Sequence, residues 1–243
     1  MEDVIVRSVH VNGQEIEYHL ERKAVKNLNL RIRKDRSVFV SANSDVSVVE
    51  LDAFVSSKAS YILGTIRKFA ELEQYRPKEK QYVSGETFYL QGRGVRLQVS
   101  QAKKESIFSD GIFIFLEVKN PDDTEKKRRI VNRFLDQQCK DVFWEIINEL
   151  YPTIKKYGVD MPTLRIRNMD TRWGSCLSKK GIITLNKRLI EAPRNCIEYV
   201  VMHELCHFIH PNHSKNFYRF LTMLMPDWKD RKAILEKNVV YCL

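Results

Sequence analysis

Four of the six histidines in the chain lie close together, between residues 203 and 213. Within this segment, His203-Glu204-Leu205-Cys206-His207 matches the pattern H-E-x-x-H. On a helix, residues four apart lie about 40° apart on one face, so both imidazoles can bind one ion. The apolar run at 199–202 predicts that this helix is buried, where unpartnered His and Glu side chains would be costly. We therefore predict a zinc (Zn2+) site on a helix that starts at Pro193.

Catalytic zinc usually has three protein ligands and an open fourth position, so a third ligand is needed. On a continuous helix His210 would lie about 10 Å beyond His203, too far for the same ion. Pro211-Asn212 should end the helix and let the chain turn back to bring His213 near. The spacing of His203 and His213 is also that of the long zinc-protease motif H-E-x-x-H-x-x-G-x-x-H. We predict His203, His207 and His213 as ligands, and for His210 a role in capping carbonyls or supporting a ligand.

Glu204 follows the first predicted ligand and is predicted to be the catalytic general base. From there it can accept a proton from the attacking water and deliver it to the leaving group. Two structural alternatives remain: a core helix with hydrogen-bonded histidines, or a structural zinc site. Structural sites are normally closed by four ligands rich in cysteine. The five cysteines lack such spacing, and we interpret Cys176 and Cys206 as small buried residues.

A second segment, Arg172-Trp173-Gly174-Ser175-Cys176, is predicted to be a substrate-facing loop. The planar guanidinium of Arg172 suits a developing oxyanion, a carboxylate or a phosphate. Trp173 and Ser175 belong to the same predicted substrate-binding segment, and Asn186 is a further candidate. The structural alternative is that Trp173 anchors the core and Gly174 makes a tight turn.

The elements that must position these residues fall into two regions, with a predicted boundary between residues 120 and 121. The Asn12-Gly13 pair predicts a hairpin, because both turn residues need positive φ. A helix is predicted over 47–75, a long amphipathic helix over 120–157, and a last helix from Pro193. Alternating patterns predict strands at 4–10, 15–20, 28–33, 38–41, 87–90, 95–100, 106–109, 112–118, 163–167 and 181–185. The sequence therefore predicts a β-rich region at 1–120 before a catalytic domain at 121–243.

Composition limits the class of protein and its partners. With 43% hydrophobic and 30% charged residues in 243, the chain is expected to be globular. The net charge of +10 favours anionic partners, including nucleic acid, but only weakly, because basic residues often form a solvated surface. The odd number of cysteines and the acidic residues at the start favour the cytoplasm over export, and no apolar run predicts a membrane span.

The metal motif, the triplet Asn212-His213-Ser214, Phe217 and the segment 172–176 together resemble the YgjP-like metallopeptidase family. The resemblance extends through Ile183-Thr184-Leu185-Asn186 and, more loosely, through Ser84-Gly85-Glu86. It implies an α+β fold: a minimal zincin-like metalloprotease domain with an H-E-x-x-H helix, related in plan to SprT-like proteases, behind a β-rich N-terminal region. The chain departs from the family at two N-terminal positions, Tyr61 and Asn43.

The resemblance implies a metal-dependent hydrolase and leaves two substrate classes open. The first is a peptide or protein, cleaved at the metal with Glu204 as base. The second is a nucleotide, since some members are called UTP pyrophosphatases; this reaction would need further cationic groups for the phosphates. A third hypothesis, outside catalysis, is a DNA-associated module with structural zinc.

Overall fold

The chain is a mixed α+β protein, as the sequence predicts. Its computed structural model describes residues 5–33, 35–73, 79–169 and 171–239, apart from the side chains of 68, 72, 73, 238 and 239. The predicted start of the first strand, the predicted end of the first helix and Cys242 lie outside these residues. The chain divides into two compact units, Met1–Pro77 and Lys78–Leu243. The composition shift near residue 121 lies inside the second unit, and a domain boundary there stays a prediction.

The first unit is a four-stranded sheet with two helices. Its strands are β1 (Ile5–Val11), β2 (Gln14–Arg22), β3 (Asn29–Ile32) and β4 (Val38–Ala42), in the order β1-β2-β4-β3, followed by α1 (Val48–Ser57) and α2 (Ala59–Glu73). Asn12 and Gly13 have φ of 51° and 77°, as the predicted hairpin requires. The single helix predicted here is instead two, because Lys58 leaves the helical conformation at φ −101° and ψ 5°.

A second four-stranded sheet begins the second unit. Its strands are β5 (Thr87–Leu90), β6 (Arg93–Gln101), β7 (Ser106–Ser109) and β8 (Phe113–Val118), in the order β5-β6-β8-β7. The sheet packs against the long helix α3 (Thr124–Lys155), whose first turn is capped by the Asp123 carboxylate accepting from the Lys126 amide. Among the described residues, no helix has both the length and the apolar character that a bilayer span requires.

A third, smaller sheet carries the segment that follows Arg172. Its strands are β9 (Thr163–Arg167), β10 (Gly174–Leu177) and β11 (Ile182–Asn186), in the order β10-β11-β9. β9 and β11 lie where the sequence predicts them, but β10 was predicted as part of a loop. The residues Gly, Ser and Cys have little intrinsic strand preference, so pairing with the fully buried β11 decides their conformation.

The last part of the unit is helical. Helix α4 (Arg194–Cys206) starts after Pro193 as predicted, and α5 (Lys215–Leu224) and α6 (Trp228–Val239) follow it. The sequence patterns predict neither α5 nor α6. α4 ends at Cys206, ahead of the predicted stop at Pro211. Eight of its residues are buried in the main core of the unit: Cys196, Ile197, Tyr199, Val200, Val201, Met202, Leu205 and Cys206.

The turn between β5 and β6 docks on the segment that leads into α4. The Gln91 amide donates to the Ile190 carbonyl at 2.7 Å, and the Gly92 amide donates to the Glu191 carbonyl at 3.1 Å. A Cβ at Gly92 would lie 2.9 Å from Cγ of Pro193, so the two backbones can approach only because residue 92 has no side chain. The hairpin tip therefore fixes the chain just before α4.

Candidate metal centre

Three histidines converge at the C-terminal end of α4. His203 lies in its last turn, His207 is the C-cap residue, and His213 directly precedes Ser214, the N-cap of α5. Each imidazole offers one nitrogen, and these nitrogens lie within 4.8 Å of one another. Nε2 of His203 and Nε2 of His213 are 2.9 Å apart. Converging nitrogens of this kind match the donor set of a zinc ion.

The chain returns to the cluster through a short turn after α4. The His210 amide donates to the Cys206 carbonyl at 2.9 Å, and the Ser214 amide donates to the Asn212 carbonyl at 2.8 Å. The structure thus places His213, and not His210, beside His203 and His207. The ring of His210 instead lies edge-on to Phe220, with the ring centroids 5.3 Å apart.

Hydrogen bonding suits the ring of His207 to a cation. Nδ1 of His207 lies 3.0 Å from the His210 carbonyl oxygen, so Nδ1 carries the proton and the Nε2 lone pair is free. Nδ1 of His203 is buried without a hydrogen-bond partner among the described residues. The other nitrogen of this ring, Nε2, is the one that faces Nε2 of His213 in the cluster. The donors therefore fit a metal ion.

Burial holds the rings of His203 and His207 in the protonation state that binds metals. Burial, and then the neighbouring rings of His207 and His213, lower the pKa of His203 to about 3. Burial also lowers the pKa of His207. Both rings are therefore neutral at neutral pH, which a ligand requires.

Phe217 backs all three rings, a role that the sequence analysis did not assign. Its side chain is fully buried, and its ring centroid lies 4.9 Å from that of His203, 4.6 Å from that of His207 and 4.9 Å from that of His213. The Phe217 amide donates to Oγ of Ser214, the N-cap residue of α5. An apolar wall of this kind limits the orientations of the imidazoles and excludes water behind them.

Glu204 is buried beside the cluster, with 5% of its surface exposed. Burial raises the pKa of its carboxyl to about 8, and the charge of Arg172 opposes this rise. A Cβ on Gly174 would lie 2.6 Å from Oε1 of Glu204 and 2.8 Å from its Cγ. Gly174 therefore makes no tight turn; it lies in β10 and lets the strand pass directly against the carboxylate.

The cluster opens into a cleft of about 600 Å³. Two of the four residues predicted to bind substrate, Arg172 and Ser175, line it. Trp173 and Asn186 are not among its lining residues: Trp173 packs partly buried against the main core, and Asn186 is fully buried. The substrate roles of all four stay predictions. The lining on the strand side consists of Thr171, Arg172, Gly174, Ser175, Cys176 and Ser178.

The cysteines near the cleft do not have reactive thiols. Burial raises the pKa of Cys206 to about 12, and burial together with the Glu204 carboxylate raises that of Cys176 to about 12. Both thiols are protonated at neutral pH, so neither can serve as a nucleophile there.

Three histidines and a buried glutamate that face one cleft, in a mixed α+β fold, are typical of metallohydrolases. The chain belongs to the YgjP-like metallopeptidase domain family, which matches residues 26–238. The resemblance predicted from the sequence is confirmed, and membership supports a metallohydrolase with a divalent metal.

Two solved structures are similar to part of the chain. The metallopeptidase zymogen of Pyrococcus abyssi abylysin is 21% identical, over 41% of this chain and 94% of that one, with a TM-score of 0.35. The metallopeptidase zymogen of Methanocaldococcus jannaschii jannalysin is 20% identical, over 40% and 96%, with a TM-score of 0.35. Similarity at this level supports neither a shared fold nor a shared substrate. A search of curated proteins found no match.

Proposed function

We propose that this chain is a zinc-dependent peptidase in which His203, His207 and His213 hold the ion and Glu204 is the general base. The observation behind the proposal is that three converging imidazoles and one buried carboxylate face the same cleft. Zinc bound there would supply Lewis acidity, polarising the scissile carbonyl and acidifying the attacking water. Family membership supports the same class of reaction.

Glu204 is proposed to move the proton. Its side chain lines the cleft next to His203, and the cation would favour the ionised form that burial alone disfavours. The carboxylate then accepts a proton from the attacking water and delivers it to the leaving amine. Gly174 helps by leaving room for the carboxylate against β10.

The edge strand β10 favours a peptide as substrate. Among the described strands, β10 pairs with β11 alone, so its other edge offers backbone N–H and C=O groups. Gly174, Ser175 and Cys176 line the cleft. An extended peptide can pair with such an edge through its main chain. We propose that Arg172, exposed at the same side of the cleft, binds a substrate carboxylate or the developing oxyanion.

The cleft suits a nucleoside triphosphate less well. Among the described residues that line it, Arg172 alone has a permanent positive charge. A triphosphate would need several cationic groups. A structural zinc site is also disfavoured, because three histidines at an open cleft leave a coordination position free.

The proposal predicts one zinc per chain and chelator-sensitive cleavage of unstructured polypeptides. Purified protein would be analysed for metal, then incubated with casein and, separately, with nucleoside triphosphates, each with and without a chelator. Hydrolysis of the triphosphates alone would establish the pyrophosphatase hypothesis instead. Protein that neither contains zinc nor takes it up would contradict both.

Gly174→Ala is expected to separate the position of Glu204 from metal binding. The added methyl group overlaps the carboxylate, and overpacking of this kind typically costs about 1–3 kcal/mol. Because a shift of about 1 Å can cost about 10²-fold in rate, activity should fall strongly while zinc is retained. Gly64→Ala is the control, since a Cβ there meets nothing within 4 Å. Unchanged kcat/KM in Gly174→Ala would show that the close approach does not matter.

A further inference from the structure

Asn186 is a fully buried polar residue at the end of β11. Nδ2 of its side chain donates to the Met169 carbonyl at 2.7 Å and to the Arg172 carbonyl at 3.0 Å. Oδ1 accepts from the Arg188 amide at 3.2 Å, and the backbone amide of Asn186 donates to the Trp173 carbonyl at 2.8 Å. Both hydrogens and the oxygen of the side-chain amide are therefore in use.

Three of these bonds end on the segment that joins β9 to β10. Their acceptors are the carbonyls of Met169, Arg172 and Trp173, so one residue holds the segment at three points. The segment continues directly into Gly174, which lies against Glu204. It also carries Arg172, which lines the same cleft as Glu204. Asn186 therefore helps to fix the positions of Arg172 and of the start of β10, which line one side of the cleft.

We infer that Asn186 is a positioning residue, which sets where Arg172 and the start of β10 lie relative to Glu204. The inference rests on the proposed function, and it gives Asn186 a role other than contact with substrate. The chemistry is specific to an amide: Asp has the same size but offers no donor when ionised, and Ser offers one. A carboxylate here would also face two carbonyl oxygens in a buried site.

The test compares Asn186→Asp, and the milder Asn186→Ser, with a control of equal destabilisation. Ile154 is fully buried in the same core and does not line the cleft. Ile154→Val and Ile154→Ala should therefore give a smaller and a larger loss of Tm, between which the losses of the Asn186 variants can be matched. For each zinc-loaded variant, zinc per chain, Tm, kcat/KM on casein and amide hydrogen exchange over residues 171–176 would be measured. Each Asn186 variant would also be combined with Arg172→Ala.

We expect the Asn186 variants to keep zinc, to exchange faster over residues 171–176, and to lose about tenfold or more in kcat/KM beyond the Tm-matched control. In the Arg172→Ala background the same substitutions should cost less, because part of their effect acts through Arg172. Activity equal to that of the control, or additive losses, would overturn the inference. If the unsubstituted protein cleaves no polypeptide, the proposed function fails; exchange over 171–176 then decides the inference, and unchanged exchange overturns it.

Discussion

Glu204→Gln is expected to keep zinc and the fold while lowering the rate of peptide hydrolysis by about 10²- to 10⁴-fold, the usual value of positioned acid-base catalysis. Glutamine preserves the size of the side chain and its fit against Gly174, but it cannot accept a proton from water. Bound zinc and turnover would be measured on the same preparation, so that metal content and chemistry are compared directly.

The matched control for this substitution is Glu198→Gln in the same helix. The Glu198 carboxylate does not line the cleft; it pairs with Arg231 at 2.6 Å and Arg194 at 3.3 Å. Partly exposed ion pairs contribute little to stability, so this variant should retain activity. An unchanged rate in Glu204→Gln would exclude Glu204 as the base. Loss of zinc together with activity would show that the carboxylate is needed to build the site.

His213→Ala is expected to weaken zinc binding severely, whereas His210→Ala should retain most of it. His213 contributes a nitrogen to the cluster, and its removal leaves two donors. His210 contributes its main-chain carbonyl, which accepts from Nδ1 of His207 and which alanine retains. Even if that supporting hydrogen bond were lost, the cost would typically be about 10- to 100-fold in metal affinity, and the loss of the ligand His213 should cost more.

Zinc affinity of both variants would be measured by competition with a chromophoric chelator at fixed pH. Tm of the metal-free proteins provides the control, because the His210 ring packs on Phe220 and its removal can affect stability without affecting the site. Equal losses of affinity, or a larger loss in His210→Ala, would contradict the proposed ligand set.

The parts of the site that follow from local spacing could be predicted from the sequence. His203 and His207 are four residues apart on α4, and Pro211 follows closely, so their convergence with His213 depends on one helix and one turn. The strands β5, β7 and β9 also lie where alternation and turn residues predict them. In each case the sequence pattern that predicts the element lies within a few neighbouring residues.

The parts that depend on distant contacts could not be predicted. β10 is a strand because it pairs with β11, and Gly174 is needed because Glu204, thirty residues later, lies against it. Asn186 was a candidate for substrate contact, because a polar residue beside a motif gives no sign of the carbonyls it bonds in the fold. Phe217 is one of the residues that carry the family resemblance, but the sequence assigns it no role, because only the fold shows that its ring contacts all three imidazoles.

The docking of the β5–β6 turn on the segment before α4 has a consequence for unfolding. Helix α3 contributes Val131 to the core beneath the β5–β8 sheet and Phe143 to the core around α4, and Leu90 packs against both cores. With the hairpin tip bonded to Ile190 and Glu191, α4 cannot detach without also disturbing this sheet. Residues 79–239 should therefore lose their structure in one cooperative transition in denaturant. The first unit has a core of its own around Tyr18, so we expect it to unfold with a separate midpoint in denaturant.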